Sequence, residues 1–122
     1  MASITFPWPS PKVFPNYKRS HHWRTYRDEE KSERKDGADI TLDAIDWRHR
    51  AAVKRIEGFI HLRVTFTPPD RRKRDDDGCI GAFKHYRDGM ADALRVDDAR
   101  FRCEYVFADP AKPGCVIVEF LG

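Results

Sequence analysis

The chain is expected to fold as one small α+β domain spanning residues 1–122, with a mixed or antiparallel four-stranded sheet and two or three helices. Three observations lead there. Four short segments rich in β-branched and aromatic residues alternate in a two-residue rhythm, and two stretches repeat their apolar residues at helical intervals. The elements run β-α-α-β-α-β-β, so most neighbours need no crossover. With 122 residues and 40% apolar composition, the chain can bury one modest core.

Residues 2–8 alternate apolar and polar and read as the first strand, stopped by Pro9 and Pro11. A proline-rich basic loop follows over 9–20, and His21 to Tyr26 opens a helix with Trp23 and Tyr26 one turn apart. Arg27 to Lys35 contains no apolar residue, so a helix there has no face to bury. Residues 27–40 are accordingly expected to be an exposed, mobile connector, helical at most. From Thr41, residues Leu42, Ile45, Ala52, Val53 and Ile56 recur at helical intervals until Gly58, which predicts one continuous helix. Phe59 to Thr67 is the second strand, with Ile60, Leu62, Val64 and Phe66 on one side and Pro68-Pro69 as its stop. A long helix is predicted over 76–94, with Ile80, Phe83, Arg87, Met90 and Leu94 along one face. Residues 101–107 and 115–120 form the last two strands, around the turn Asp109-Pro110-Ala111-Lys112-Pro113-Gly114.

Charge is informative through its distribution. Lys and Arg exceed Asp and Glu by only three, yet residues 1–24 carry Lys12, Lys18, Arg19 and Arg24 without an acid. Further along, Arg71-Arg72-Lys73-Arg74 runs directly into Asp75-Asp76-Asp77, and Asp97-Asp98 follows. Basic patches of this kind suit a polyanion, although a solvated face is the plainer account. Acids at a helix start also cap free N–H groups, which accounts for one or two of Asp75, Asp76 and Asp77. Three consecutive carboxylates near a further pair repel one another unless cations, protons or a metal neutralise them. A hard ion such as Mg²⁺ takes oxygen ligands and suits two or three convergent Asp. At 100° per residue, Asp77, Lys84 and Asp88 fall within roughly 40° on the long helix. Gly81 shares that stripe, and the missing side chain is read as room for a ligand.

Three cysteines without C-x-x-C spacing give neither a disulfide framework nor a zinc ribbon. His21-His22 without a third ligand is weak evidence for a metal. No signal-like segment and no run long enough to span a membrane are found. A reduced, cytoplasmic, membrane-free protein is expected.

The run Pro69-Asp70-Arg71-Arg72-Lys73-Arg74-Asp75-Asp76-Asp77, followed by Asp92-Ala93-Leu94 and Asp97-Asp98, resembles the RusA family of Holliday junction resolvases. Those proteins carry a basic run into D-x-D-N, then D-A-L and a D-D pair. Phe6-Pro7-Trp8-Pro9, Pro15-Asn16 and His22-Trp23 resemble the family's opening, so the likeness spans nearly the whole chain. It implies a RusA-like fold and a bacterial or phage-encoded enzyme that cuts four-way DNA junctions by Mg²⁺-dependent phosphodiester hydrolysis, with Mn²⁺ able to substitute. It implies a homodimer, since a junction is two-fold symmetric. Asp75, Asp77 and Asp98 would be the metal-binding catalytic carboxylates and Lys84 the helix lysine, with Asp88 and Asp97 supporting them. Arg71, Arg72, Lys73, Arg74, Lys18, Arg19, His22 and Arg24 would contact DNA. Two positions depart from the pattern: Gly78 stands where the family has Asn, and Gly81 where some relatives have the lysine. The alternative readings are a junction-binding protein with impaired catalysis, and a basic interaction domain whose acids are helix caps only.

Overall fold

In the computed structural model, which describes residues 2–122, the strands are β1 (Ser3–Pro7), β2 (Ile60–Thr67), β3 (Phe101–Phe107) and β4 (Cys115–Phe120). They form one sheet in the order β1-β4-β2-β3. β4 is antiparallel to both β1 and β2, whereas β2 and β3 run parallel, so the sheet is mixed. All four strands lie within a residue or two of their predicted bounds, because alternation is the signature of a sheet with one wet face. Ile60, Leu62, Val64 and Phe66 are fully buried, together with Ile4, Phe6, Val116 and Val118. In register, Ile4 lies opposite Val118 and Val118 opposite Val64, which joins three strands into one apolar surface. The other face carries polar groups, among them the directly paired Arg63 and Glu104.

The helices are α1 (Pro15–Ser20), α2 (Arg27–Ala44), α3 (Trp47–Lys54) and α4 (Asp76–Leu94), with short 3₁₀ turns at Pro11–Val13, Trp23–Thr25 and Asp98–Arg100. Four helices replace the two or three expected. α4 matches its predicted span and lies on the apolar sheet face, where Phe83 meets Phe6 and Phe66 edge-on and Tyr86 stacks on Phe6 at 5.0 Å. Phe83, Met90 and Leu94 of the predicted stripe are buried, whereas Ile80 and Arg87 sit at its margin.

Residues 27–40, expected as an exposed connector, belong to the 18-residue α2, which packs along α4. Its buried positions are Glu33, Gly37 and Thr41, with Ile40 the partly buried apolar residue packed against the core. Two glycines permit this. A Cβ at Gly89 would stand 2.0 Å from the Arg34 carbonyl, and one at Gly37 would stand 2.7 Å from the Tyr86 carbonyl. The backbones approach where the side chains are missing, and Arg34 adds a two-pronged ion pair to Asp92 (2.7 and 2.9 Å). A search for an apolar stripe misses such a helix.

The continuous helix predicted from Thr41 is broken. α2 ends at Ala44, Ile45 adopts extended backbone, and Asp46 starts α3 by accepting the His49 N–H at 2.9 Å. Ile45 and Val53 are buried as predicted, but Leu42 is exposed on the outside of the break. The proline-rich loop also contains more structure than expected, since Pro15 supplies a pre-set φ at the first position of α1. Among the described residues, no helix is long and apolar enough to cross a membrane.

Candidate functional site

α4 carries the predicted acids, and its start is built by Asp75. This residue is extended, and its Oδ1 accepts the Gly78 N–H at 2.9 Å, which makes Asp75 the N-cap; Asp76 and Asp77 occupy the first turn. Asp76 is therefore not the cap, because only the residue preceding the helix can fold its side chain back onto the free N–H groups. Gly78 suits this closure: a Cβ there would lie 2.3 Å from Asp75 Oδ1. An Asn at 78 would require that carboxylate to move.

Asp75 and Asp77 line one cleft of about 280 Å³ with Arg74, Lys73, Arg19 and Asn16. α1 forms the opposite wall. Pro15 at its start packs onto Gly81 of α4, where a Cβ would meet Pro15 Cγ at 3.0 Å. The space left by Gly81 is thus taken partly by Pro15, not kept open for a ligand alone. The far end of α1 is pinned by Lys18, which pairs with Glu30 and reaches His85 Nε2 at 3.1 Å; His85 also lies 3.0 Å from Glu30. Burial first, and the Lys18 ammonium next, hold the His85 imidazole below its ordinary range. Glu33 anchors the preceding loop by accepting the Ser10 N–H at 2.7 Å.

Asp98 lies in the 3₁₀ turn after α4, away from the Asp75 and Asp77 cleft. It lines a second cleft of about 300 Å³ with Lys84, Asp88, Asp92, Asp97 and Arg34, and a smaller cavity of about 220 Å³ with Gly81, Lys84, Arg87 and Tyr105. Lys84 Nζ is 3.2 Å from Asp88 Oδ2, one turn on, as the helical stripe predicts. Seven residues separate Asp77 from Lys84, which in a regular helix is about 10 Å along the axis. Asp97 caps the 3₁₀ turn by accepting the Ala99 N–H at 2.9 Å. Arg87 fixes the same turn by donating to the Asp98 carbonyl at 3.0 Å. In the sequence Arg87 stands on the apolar stripe of α4 with no evident role; an arginine among apolar helix positions is the signal that it has one.

The predicted acids are thus divided between two neighbouring sites, Asp75 with Asp77 and Asp98 with Lys84 and Asp88. Among the described residues, no three His, Cys, Asp or Glu side chains converge closely enough to hold a metal ion. Asp98 does not line the cleft of Asp75 and Asp77. Two carboxylates remain there, the number with which Mg²⁺ is commonly held when substrate phosphate and water complete its shell.

The predicted DNA contacts also separate. Arg71, Arg72 and Lys73 are exposed. Arg74 is held by Asp70 at 2.9 Å and covers the Trp8 ring at 5.4 Å. The Arg72 N–H and then Arg74 keep the Asp70 carboxyl below its usual range. Lys18 is committed to Glu30 and His85, so it is not a free surface cation. Arg19 donates to Asn16 at the cleft mouth, Arg24 lies over Trp23 at 5.4 Å, and His22 accepts the Arg24 N–H at 3.2 Å as a turn cap.

Fold and site together define a small α+β domain in which cations and an acid pair share a cleft at a helix start. No family model matches the chain. Over 123 residues it is 35% identical to an uncharacterized protein of Xylella fastidiosa (strain Temecula1 / ATCC 700964), a match that covers 100% of this chain and 77% of that protein. The chain belongs to the same family as that protein.

Proposed function

We propose that this protein is a structure-specific DNA endonuclease that resolves four-way junctions by Mg²⁺-dependent phosphodiester hydrolysis, similar to the RusA family. The observation that carries the reading is the shared cleft of Asp75, Asp77, Lys73, Arg74 and Arg19, which sets two oxygen donors among phosphate-binding cations. Asp75 and Asp77 would hold Mg²⁺, or Mn²⁺ in its place. When bound, such an ion neutralises charge at the scissile phosphate and lowers the pKa of a water.

The chain's own residues do the remaining work. Lys73 and Arg19 draw the DNA backbone to the cleft mouth and set its position without reading sequence. Asp70 fixes Arg74, whose guanidinium lies over Trp8, so that this wall of the cleft has little conformational freedom left to lose. Lys84, exposed although paired with Asp88, lines the second cleft with Asp98 and would meet a second phosphate further along α4. Two copies related by a two-fold axis would present two such clefts to opposing strands of a junction. The enzyme would act in the cytoplasm of a bacterium, encoded by it or by a phage.

A specific observation favours a second reading, a junction-binding protein with impaired catalysis. Asp98 is not gathered with Asp75 and Asp77, and Gly78 leaves Asp75 closed onto the helix as a cap. Gel-shift and denaturing-gel assays on a synthetic junction, with the unaltered protein and Asp77→Asn, decide between them. The endonuclease reading expects nicking in Mg²⁺, and a loss on the order of 100-fold or more in Asp77→Asn with binding retained, since even groups that only support a metal ligand are worth 10–100-fold. Tight binding without nicking in Mg²⁺ or Mn²⁺ establishes the second reading.

A further inference from the structure

We propose that the groove on the outer side of α1 binds an unpaired nucleotide of the DNA strand whose backbone enters the cleft. This rests on the reading of the cleft as a phosphodiester site. The groove is about 590 Å³ and is lined by Trp8, Phe14, Tyr17, His21, Arg72 and Arg74 among others. Its size falls within the roughly 300–1,000 Å³ of small-molecule sites. Phe14, Asn16 and Arg74 line both groove and cleft, so the two share a wall.

The aromatic groups are pre-set. The Tyr17 and His21 rings stack at 3.7 Å and 6°. His21 Nδ1 lies 2.8 Å from the Tyr17 carbonyl and 3.0 Å from Ser20 Oγ, which fixes its ring as a partly exposed platform. Trp8 is held between Arg74 and the edge of Phe66. Arg72 lines the same groove and is exposed and, among the described residues, without a side-chain partner, while Asp70, the one acid among the described lining residues, already accepts from the Arg72 N–H and Arg74.

The occupant must therefore offer a flat π face and an anion a few ångströms away. A phosphate alone leaves the aromatics unused, and an apolar small molecule leaves the guanidinium unused. An unpaired nucleotide uses both, by the aromatic stacking with flanking cations that retains single strands. Strand exchange at a branch point is where such a base is available.

A single-stranded oligonucleotide with a central 2-aminopurine tests the proposal. The unaltered protein should quench its fluorescence on binding. Tyr17→Ala and His21→Ala should each weaken single-strand binding by about 5- to 150-fold, the factor equivalent to roughly 1–3 kcal/mol of stacking, and Tyr17→Phe should restore it. Affinity for a blunt, fully paired duplex should stay unchanged, which shows that the variants are folded. Absence of quenching by the unaltered protein, equal losses on duplex and single strand, or equally strong competition by an acidic tyrosine-containing peptide would overturn the proposal. Junction nicking, read separately, distinguishes failure of the groove from failure of the endonuclease reading.

Discussion

Glu33 is a carboxyl in a place that disfavours its charge. It is buried on the inner side of α2, one oxygen taken by the Ser10 N–H of the loop before α1 and the other, among the described residues, without a partner. Burial raises its pKa from 4.5 to about 7, with the Ser10 bond opposing and the Glu29 and Asp36 charges adding to the rise. Because the folded value lies above the unfolded one, the native state holds a proton that the unfolded chain has released. Stability is therefore greatest below about pH 4.5, falls as pH rises towards 7, and is flat beyond, by on the order of 3 kcal/mol from this group. Glu33→Gln should remove that slope and raise stability at pH 8, as urea unfolding at several pH values would register. Nothing in the charge run 27–36 distinguishes Glu33 from Glu29 or Glu30 in the sequence; only the close approach of α2 to α4 does.

At the scale of elements, the pairing of α2 with α4 depends on absent side chains. Gly89→Ala places a methyl 2.0 Å from the Arg34 carbonyl, so the helices must separate. A loss of about 1–3 kcal/mol is expected, the usual cost of overpacking. It should appear as a lower Tm in thermal unfolding followed by circular dichroism, with the strands retained. The strands and α4 were legible because β2 alternates Ile60, Leu62, Val64 and Phe66, and because the apolar repeat of α4 is long. α2 was not, since Gly37 and Gly89 read as weak points in a helix until their opposite neighbours are known. The break was hidden for a related reason: Ile45 and Val53 keep a helical spacing across the point where α2 ends at Ala44 and Asp46 caps a new helix.

For the whole molecule, Arg71, Arg72 and Lys73 are exposed on the loop entering α4, whereas Lys18 on α1 is paired with Glu30. Replacing Arg71, Arg72 and Lys73 with alanine should weaken duplex binding at all sequences alike. If each contacts a phosphate, the slope of log K against log salt should fall by about 0.9 per residue, measured by fluorescence anisotropy from low to moderate salt. The candidate cleft was legible in part: Asp75 and Asp77 line it with Lys73 and Arg74, as their adjacency implies. Asp98 was harder, because its position is set by the turn after α4 and by the Arg87 bond to its carbonyl, which no local spacing encodes.

The parallel pairing of β2 with β3 makes α4 the crossover between them, and β4 then bridges β2 to β1, with Ser3–Pro7 lying against Cys115–Glu119. Folding must close long loops before these strands gain any pairing energy, which slows the process relative to a chain of local hairpins. A ribosome would have to deliver β4 before β1 found its partner, and until then the start of α4 would have only part of the sheet beneath it. The cleft is thus among the late products of synthesis: a chain interrupted before Cys115 would carry every acid and cation of the site and no sheet able to hold them in place.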